Sequence, residues 1–146
     1  MLAAAFNSTS DESKASITGD GLHAVVASNR PGTAGDFDVW EATRSTASVA
    51  WPAFTRAKVM AIETTGGDYD PTISDDGLRI YLAPGSPQHI AVASRLTVND
   101  NFGAPVTLGE LVSGVAADAD PSLTPDERVI VFRSYRTLTG FAGGNL

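Results

Sequence analysis

Asp70–Leu82 reads DPTISDDGLRIYL, and fifty residues further on Asp120–Phe132 reads DPSLTPDERVIVF. An acid and a proline, a short run of small residues, a turn, and then an apolar β-branched run occur twice in the same order. A third, more worn copy, KASITGDGLHAVVAS, spans Lys14–Ser28. Superposing the three puts Asp20, Asp76 and Asp126 in register, at offsets of 56 and 50 residues. Ile17, Ile73 and Leu123 then align upstream, and the runs Ala24–Val26, Ile80–Leu82 and Ile130–Phe132 align downstream. The register extends outward, matching Glu12 with Asp68 and Asp118, Ser28 with Ser134, and Arg30 with Arg136. A second block follows: FDVWEATR (Phe37–Arg44) aligns with QHIAVASR (Gln88–Arg95), and Trp51 with Phe102. Several blocks matching in one order mark an internal repeat, with units at approximately 6–61, 62–111 and 112–146 of a single domain covering 1–146.

Each unit reads as four short strands. Segments such as SIT and TIS form the first, closed by the turns GDG, DDG and PDE, where Asp and Gly suit a tight hairpin and Gly supplies a positive φ. The apolar run after the turn suits a strand buried on both faces. The Gly/Pro loop NRPGTAGD leads to a third strand alternating Val39, Glu41 and Thr43 against Trp40 and Ala42. The fourth is placed near AKVMAI and GELVS. No segment of ten residues carries a helical apolar period, and 14 Gly and 8 Pro imply many turns. The expected class is all-β, with β-propeller blades of four antiparallel strands. Trp40, Trp51, Tyr81, Phe102 and Phe132 are expected to pack between blades.

The stretches DPSLTPDERVIVFRSYR and SITGDGLHAVVASNRPGTAGDFDVWEATR resemble the Pro-Asp-Gly, WD-like repeat of TolB-like β-propellers. That repeat runs acid, Pro-Ser-x-Ser-Pro-Asp-Gly, apolar strand, Ser-x-Arg, Gly-rich loop, then Asp, an apolar residue and Trp or Tyr. The chain departs from it at Ala15 and Gly19 in unit one, at APGSPQ in unit two, and at Glu127 in place of the turn glycine in unit three. The resemblance implies a bacterial periplasmic or secreted setting. It also implies a non-catalytic binding or assembly module, with a protein or glycan ligand at the mouth of the central channel. The alternatives are a carbohydrate-active propeller lyase or hydrolase, argued by fold analogy alone, and a structural remnant without ligand.

About three blades form an incomplete ring, because propellers have four to eight. Residues 2–6 align with the close of a fourth strand, and the third unit reaches GGNL (143–146) where its third strand would begin. Either the chain is part of a longer propeller, or two copies associate head to tail as a homodimer of six blades. The dimer is the favoured expectation, since an open stack would expose strand edges.

Charge narrows the partners. The formal net charge is -7, and the ten Lys and Arg are scattered, so neither nucleic acid nor an anionic membrane is expected. No stretch approaches the apolar length of a membrane span. MLAAAF lacks the basic start and the apolar length of a signal peptide. Without cysteine there is no thiol chemistry and no disulfide. The candidate ligand-binding constellation is Glu12, Asp68 and Asp118, each preceding an innermost strand. Convergent carboxylates there could take a divalent metal or a cationic group; alternatively each accepts N–H bonds within its own loop. Arg30 and Arg136 are candidates for a bound carboxylate or sugar, or for pairing with Asp36 or Asp38. The turn acids read as structural, and His23 and His89 as solvent-facing or loop residues. No catalytic residue, metal site or cofactor is predicted: nucleophile-elbow, zincin, Walker and Rossmann patterns do not occur, and neither the EF-hand loop nor the Asp box of sialidases is matched.

Overall fold

Three turns of identical construction close the hairpins that the repeat predicts. Thr18, Ser74 and Thr124 each donate a hydroxyl to the turn acid two residues on, Asp20, Asp76 and Asp126, at 2.6 Å in every case. The same carboxylate oxygens accept the N–H of Leu22, Leu78 and Arg128. Local side-chain acceptors thereby replace the ladder bonds that a turn cannot make. The residue after each acid lies in the left-handed region: Gly21 and Gly77 at φ 70, and Glu127 at φ 54.

The computed structural model describes residues 3–112 and 116–136; GGNL, at which the third unit was expected to stop, lies outside them. The fold is all-β, with three antiparallel sheets. The first joins β1 (Glu12–Ile17), β2 (His23–Ser28) and β3 (Asp38–Thr43) in that order. The second joins β4 (Asp68–Ile73), β5 (Arg79–Pro84), β6 (Ala91–Ser94) and β7 (Val106–Thr107). The third, as described, pairs β8 (Asp118–Leu123) with β9 (Ile130–Ser134). Every first strand carries a register shift at one place, between Glu12 and Ala15, Tyr69 and Thr72, and Ala119 and Ser122. At this bulge Asp70 and Asp120 adopt φ 58 and 54.

Two expectations need correction. AKVMAI and GELVS are not fourth strands: Met60–Ile62 and Gly109–Leu111 are single 3-10 turns. The fourth-strand pairing comes earlier, as an isolated bridge from Thr55 to Glu41 and as β7 beside β6. Likewise Ala3–Phe6 is one helical turn rather than the close of a strand. The apolar residues Phe6, Ile62 and Leu111 end these turns and pack into three successive apolar layers. Short helical turns suit these segments because each must bury one large side chain while redirecting the chain to the next first strand.

The middle layer joins sheets one and two through Val25, Val39, Ile73, Ile80, Leu82 and Phe102. Ala83, Ile90 and Ala119, flanked by Ile130 and Phe132, join sheets two and three. Backbone bonds repeat the step: Asp68 N–H donates to Phe37 O (2.6 Å), and Asp118 N–H to the equivalent Gln88 O (2.8 Å). Trp51 and Phe102 lie in loops rather than on strands, each beneath an arginine. Arg44 Nε donates to Gly21 O at 2.6 Å and Arg95 Nε to Gly77 O at 2.8 Å, and each guanidinium sits 4.2 Å from its ring centroid. One arginine thus ties a turn, a third strand and an aromatic loop together in each of the first two units.

Arg95 is buried and also lies 2.9 Å from the Glu41 carboxylate of the first sheet. Arg95→Ala should cost about 3 kcal/mol or more, because it strands a buried carboxylate. Arg44→Ala, which strands no charge, should cost about 1 kcal/mol. Thermal unfolding followed by circular dichroism should rank the two in that order.

Candidate functional site

The carboxylates Glu12, Asp68 and Asp118 occupy the first residue of β1, β4 and β8. Each takes its hydrogen-bond donors from its own unit. Glu12 accepts from Ser8 N–H (3.2 Å), the Ser8 hydroxyl, the Ser28 hydroxyl (3.2 Å) and Arg30 Nε (3.1 Å). Burial pushes its carboxyl up, but the bonds from Ser8 and Arg30 outweigh this and hold it below the usual range. Asp118 accepts from the Ser134 hydroxyl at 2.5 Å, with Arg136 Nη2 at 3.5 Å and His89 Nδ1 at 3.7 Å. Arg30 and Arg136 therefore pair with Glu12 and Asp118, not with Asp36 or Asp38. Each also caps the preceding helical turn, donating to Phe6 O at 2.7 Å and to Leu111 O respectively.

The second unit has Ser86 where the others have these arginines, and Asp68 differs accordingly. Fully buried, it accepts among the described residues only from Thr64, through N–H at 2.8 Å and the hydroxyl at 3.0 Å. Burial pushes its pKa up to about 6; the Thr64 bonds oppose the shift, and Asp38 and Glu63 add to it. Arg56 lies nearby but is taken by Asp38 (2.9 Å) and Glu63 (2.9 Å). Among the described residues, no group of three or more His, Cys, Asp or Glu side chains is placed to hold a metal ion.

Two residues along each first strand, the bulge brings a different set of side chains together. Asp70 and Asp120 are neighbours, with Asp120 N–H donating to Asp70 Oδ2 at 3.3 Å. Lys14, at the equivalent position of the first unit, reaches across to the third unit and donates to Pro121 O at 2.5 Å. Thr72 of the intervening strand donates to the same carbonyl at 2.6 Å. Burial and the Asp120 carboxylate push Asp70 up, while burial pulls Lys14 down against the pull of both acids. Arg133 Nε closes the set, 3.2 Å from Asp120. Below them a cavity of about 200 Å³ runs along all three first strands, lined by the aligned hydroxyls of Ser16, Thr72 and Ser122. The signal for this set lay in the quoted stretches, which open on Asp70 and Asp120. Only the bulge, invisible in the letters, turns these side chains toward one another.

His23 is not solvent-facing. It starts β2 with its Nδ1 4.0 Å from buried Glu41, and burial, with Arg95 nearby, lowers its pKa. His89 lies in a loop beside Asp118. A second cavity, of about 290 Å³, lies at the outer edge of the first sheet between Glu41, Thr55 and Lys58. No described helix is long and apolar enough to cross a membrane. In comparisons with known proteins, no family model and no curated sequence matches this chain. The TolB-like likeness therefore rests on the repeat motifs alone.

The raised pKa of Asp68 carries a pH dependence of stability. A carboxyl whose folded pKa lies above its unfolded value near 3.8 favours the fold while protonated, and that contribution is lost as pH rises through about 6. Asp68→Asn, which keeps one acceptor and one donor for Thr64, should match the parent at pH 4. At pH 7 it should exceed the parent by on the order of 2 kcal/mol. Urea unfolding at the two pH values measures the difference.

Proposed function

We propose that the three sheets are successive blades of a TolB-like β-propeller serving as a non-catalytic binding or assembly module. Its ligand, a protein or a glycan, is engaged at the channel mouth, and further blades complete the ring. The observation that carries the reading is the side-by-side placement of β1, β4 and β8 in one register. Lys14 of the first strand touches the carbonyl of Pro121 on the third, across the second, as expected of strands gathered about an axis. Lys14, Asp70, Asp120 and Arg133 then rim the mouth as a mixed-charge ring, and the serine and threonine hydroxyls line the wall beneath. Such a surface supplies both donors and acceptors to a polar ligand. The bacterial envelope or secreted setting is the one that the repeat resemblance implies.

Screening the whole chain against an array of bacterial polysaccharides, with chromatography of the eluates, tests the reading. Retention without any new product is the expected result, and Lys14→Glu should weaken retention at least tenfold. Conversion of an array member, abolished by changing Glu12, Asp68 or Asp118 to Ala, would replace the module with an enzyme.

A further inference from the structure

The cavity of about 200 Å³ along β1, β4 and β8 is walled by polar groups that their neighbours satisfy only in part. Ser16 Oγ accepts the Ile73 N–H at 3.2 Å, so its hydroxyl proton remains to be donated. Thr72 has the opposite role: its hydroxyl donates to Pro121 O at 2.6 Å, so its oxygen is left to accept. Ser122, at the same place on β8, has no hydrogen-bond partner among the described residues and can do either. Asp75 Oδ1 takes the Gly19 N–H at 2.8 Å, while Oδ2 has no partner among the described residues. A Cβ on Gly19 would come within 2.8 Å of Asp75 Oδ1, so glycine leaves room for this carboxylate. Between the polar groups, Ile17, Leu123 and Pro125 give the wall apolar patches.

We propose that this cavity holds one ring of a neutral saccharide. The proposal rests on the module reading above and deepens it, by taking the glycan over the protein as ligand. A sugar ring carries hydroxyls that donate and accept in turn, and C–H faces that suit small apolar patches. The wall matches it, with a donor at Ser16, acceptors at Thr72 and Asp75 Oδ2, and both roles at Ser122. Charge argues for a neutral ring. Asp75 is the one charged residue in the lining. At the rim, the two cations Lys14 and Arg133 face the two carboxylates Asp70 and Asp120. No cation is left over to hold a uronate, and Asp75 would repel one. A protein ligand would need a large anchor seated in a pocket, and this cavity is smaller than those that bury even drug-sized molecules.

Amide chemical shifts of the whole chain test this, titrated with the methyl pyranosides of glucose, galactose and mannose and with their uronate and 2-amino counterparts. At least one neutral glycoside should move the amides of Ser16, Thr72, Asp75 and Ser122. Its uronate should bind at least tenfold more weakly, and its own affinity should not change between about 20 and about 500 mM salt. Asp75 and Ser122 are exposed, so Asp75→Ala and Ser122→Ala should leave the melting temperature unchanged while each weakens binding about fivefold, as one lost hydrogen bond implies. The proposal falls if no neutral glycoside moves these amides at about 100 mM, if a charged counterpart binds as tightly, or if both variants bind like the parent. A polysaccharide or protein retained through Lys14 with these amides unmoved removes the saccharide site and keeps the module. A glycoside that moves them and is converted to a new product keeps the site and removes the module.

Discussion

Burial of the second strands of the first two sheets, complete on both faces in β2, is the constraint on which the rest of the fold depends. In β2, Ala24 to Ala27 are all 0–1% exposed. Val25 faces the second sheet, and Ala24 and Val26 face Phe6, Trp51 and Phe54. A sheet of two to four short strands cannot bury two faces by itself. Every sheet must therefore be covered by a neighbour, and the arrangement extends by repetition. The helical turns ending in Phe6, Ile62 and Leu111 serve this constraint, since each inserts its apolar residue into the layer beside a sheet.

Polar groups keep the layers in register. The turn acids hold each hairpin, and the arginines of the third strands clamp turn to aromatic loop. The exception at Glu127 shows how a departure from the repeat is accommodated. A side chain in the left-handed region costs about 1 kcal/mol where glycine costs nothing. Here the carboxylate reaches Arg79 and Tyr81 of the preceding sheet, and Arg79 holds it below the usual carboxylate range. Burial and the same carboxylate push Tyr81 up to about 12. An inter-sheet tie offsets local backbone strain, as it could not at Gly77, where His23 fills the space.

Much of the fold was legible because a repeat multiplies weak evidence. A lone S-x-D-G turn says little, but Asp20, Asp76 and Asp126 in register, each followed by an apolar run, specify a hairpin three times over. The structural role read for these acids follows from their hydroxyl and N–H partners. The fourth strands were misplaced because MAI and GEL carry apolar residues at a spacing that suits a strand or a short helical turn alike. Of the candidate site, the acids Glu12, Asp68 and Asp118 were found but their relationship was not. Alignment shows equivalence of position, and equivalent positions need not converge.

By itself the sequence determined an all-β chain of repeated hairpins, the register between them, and the residues that make each turn, because these depend on contacts between near neighbours. Tertiary structure decided which charges meet. Arg30 and Arg136 cap helical turns and pair with the strand-opening acids of their own units, while Asp68, lacking such an arginine, has its ionisation made costly by burial. Lys14, Asp70 and Asp120 come together at the one-residue bulge of each first strand. A bulge costs no distinctive letter and is set by how adjacent sheets pack, so only the folded chain reveals it.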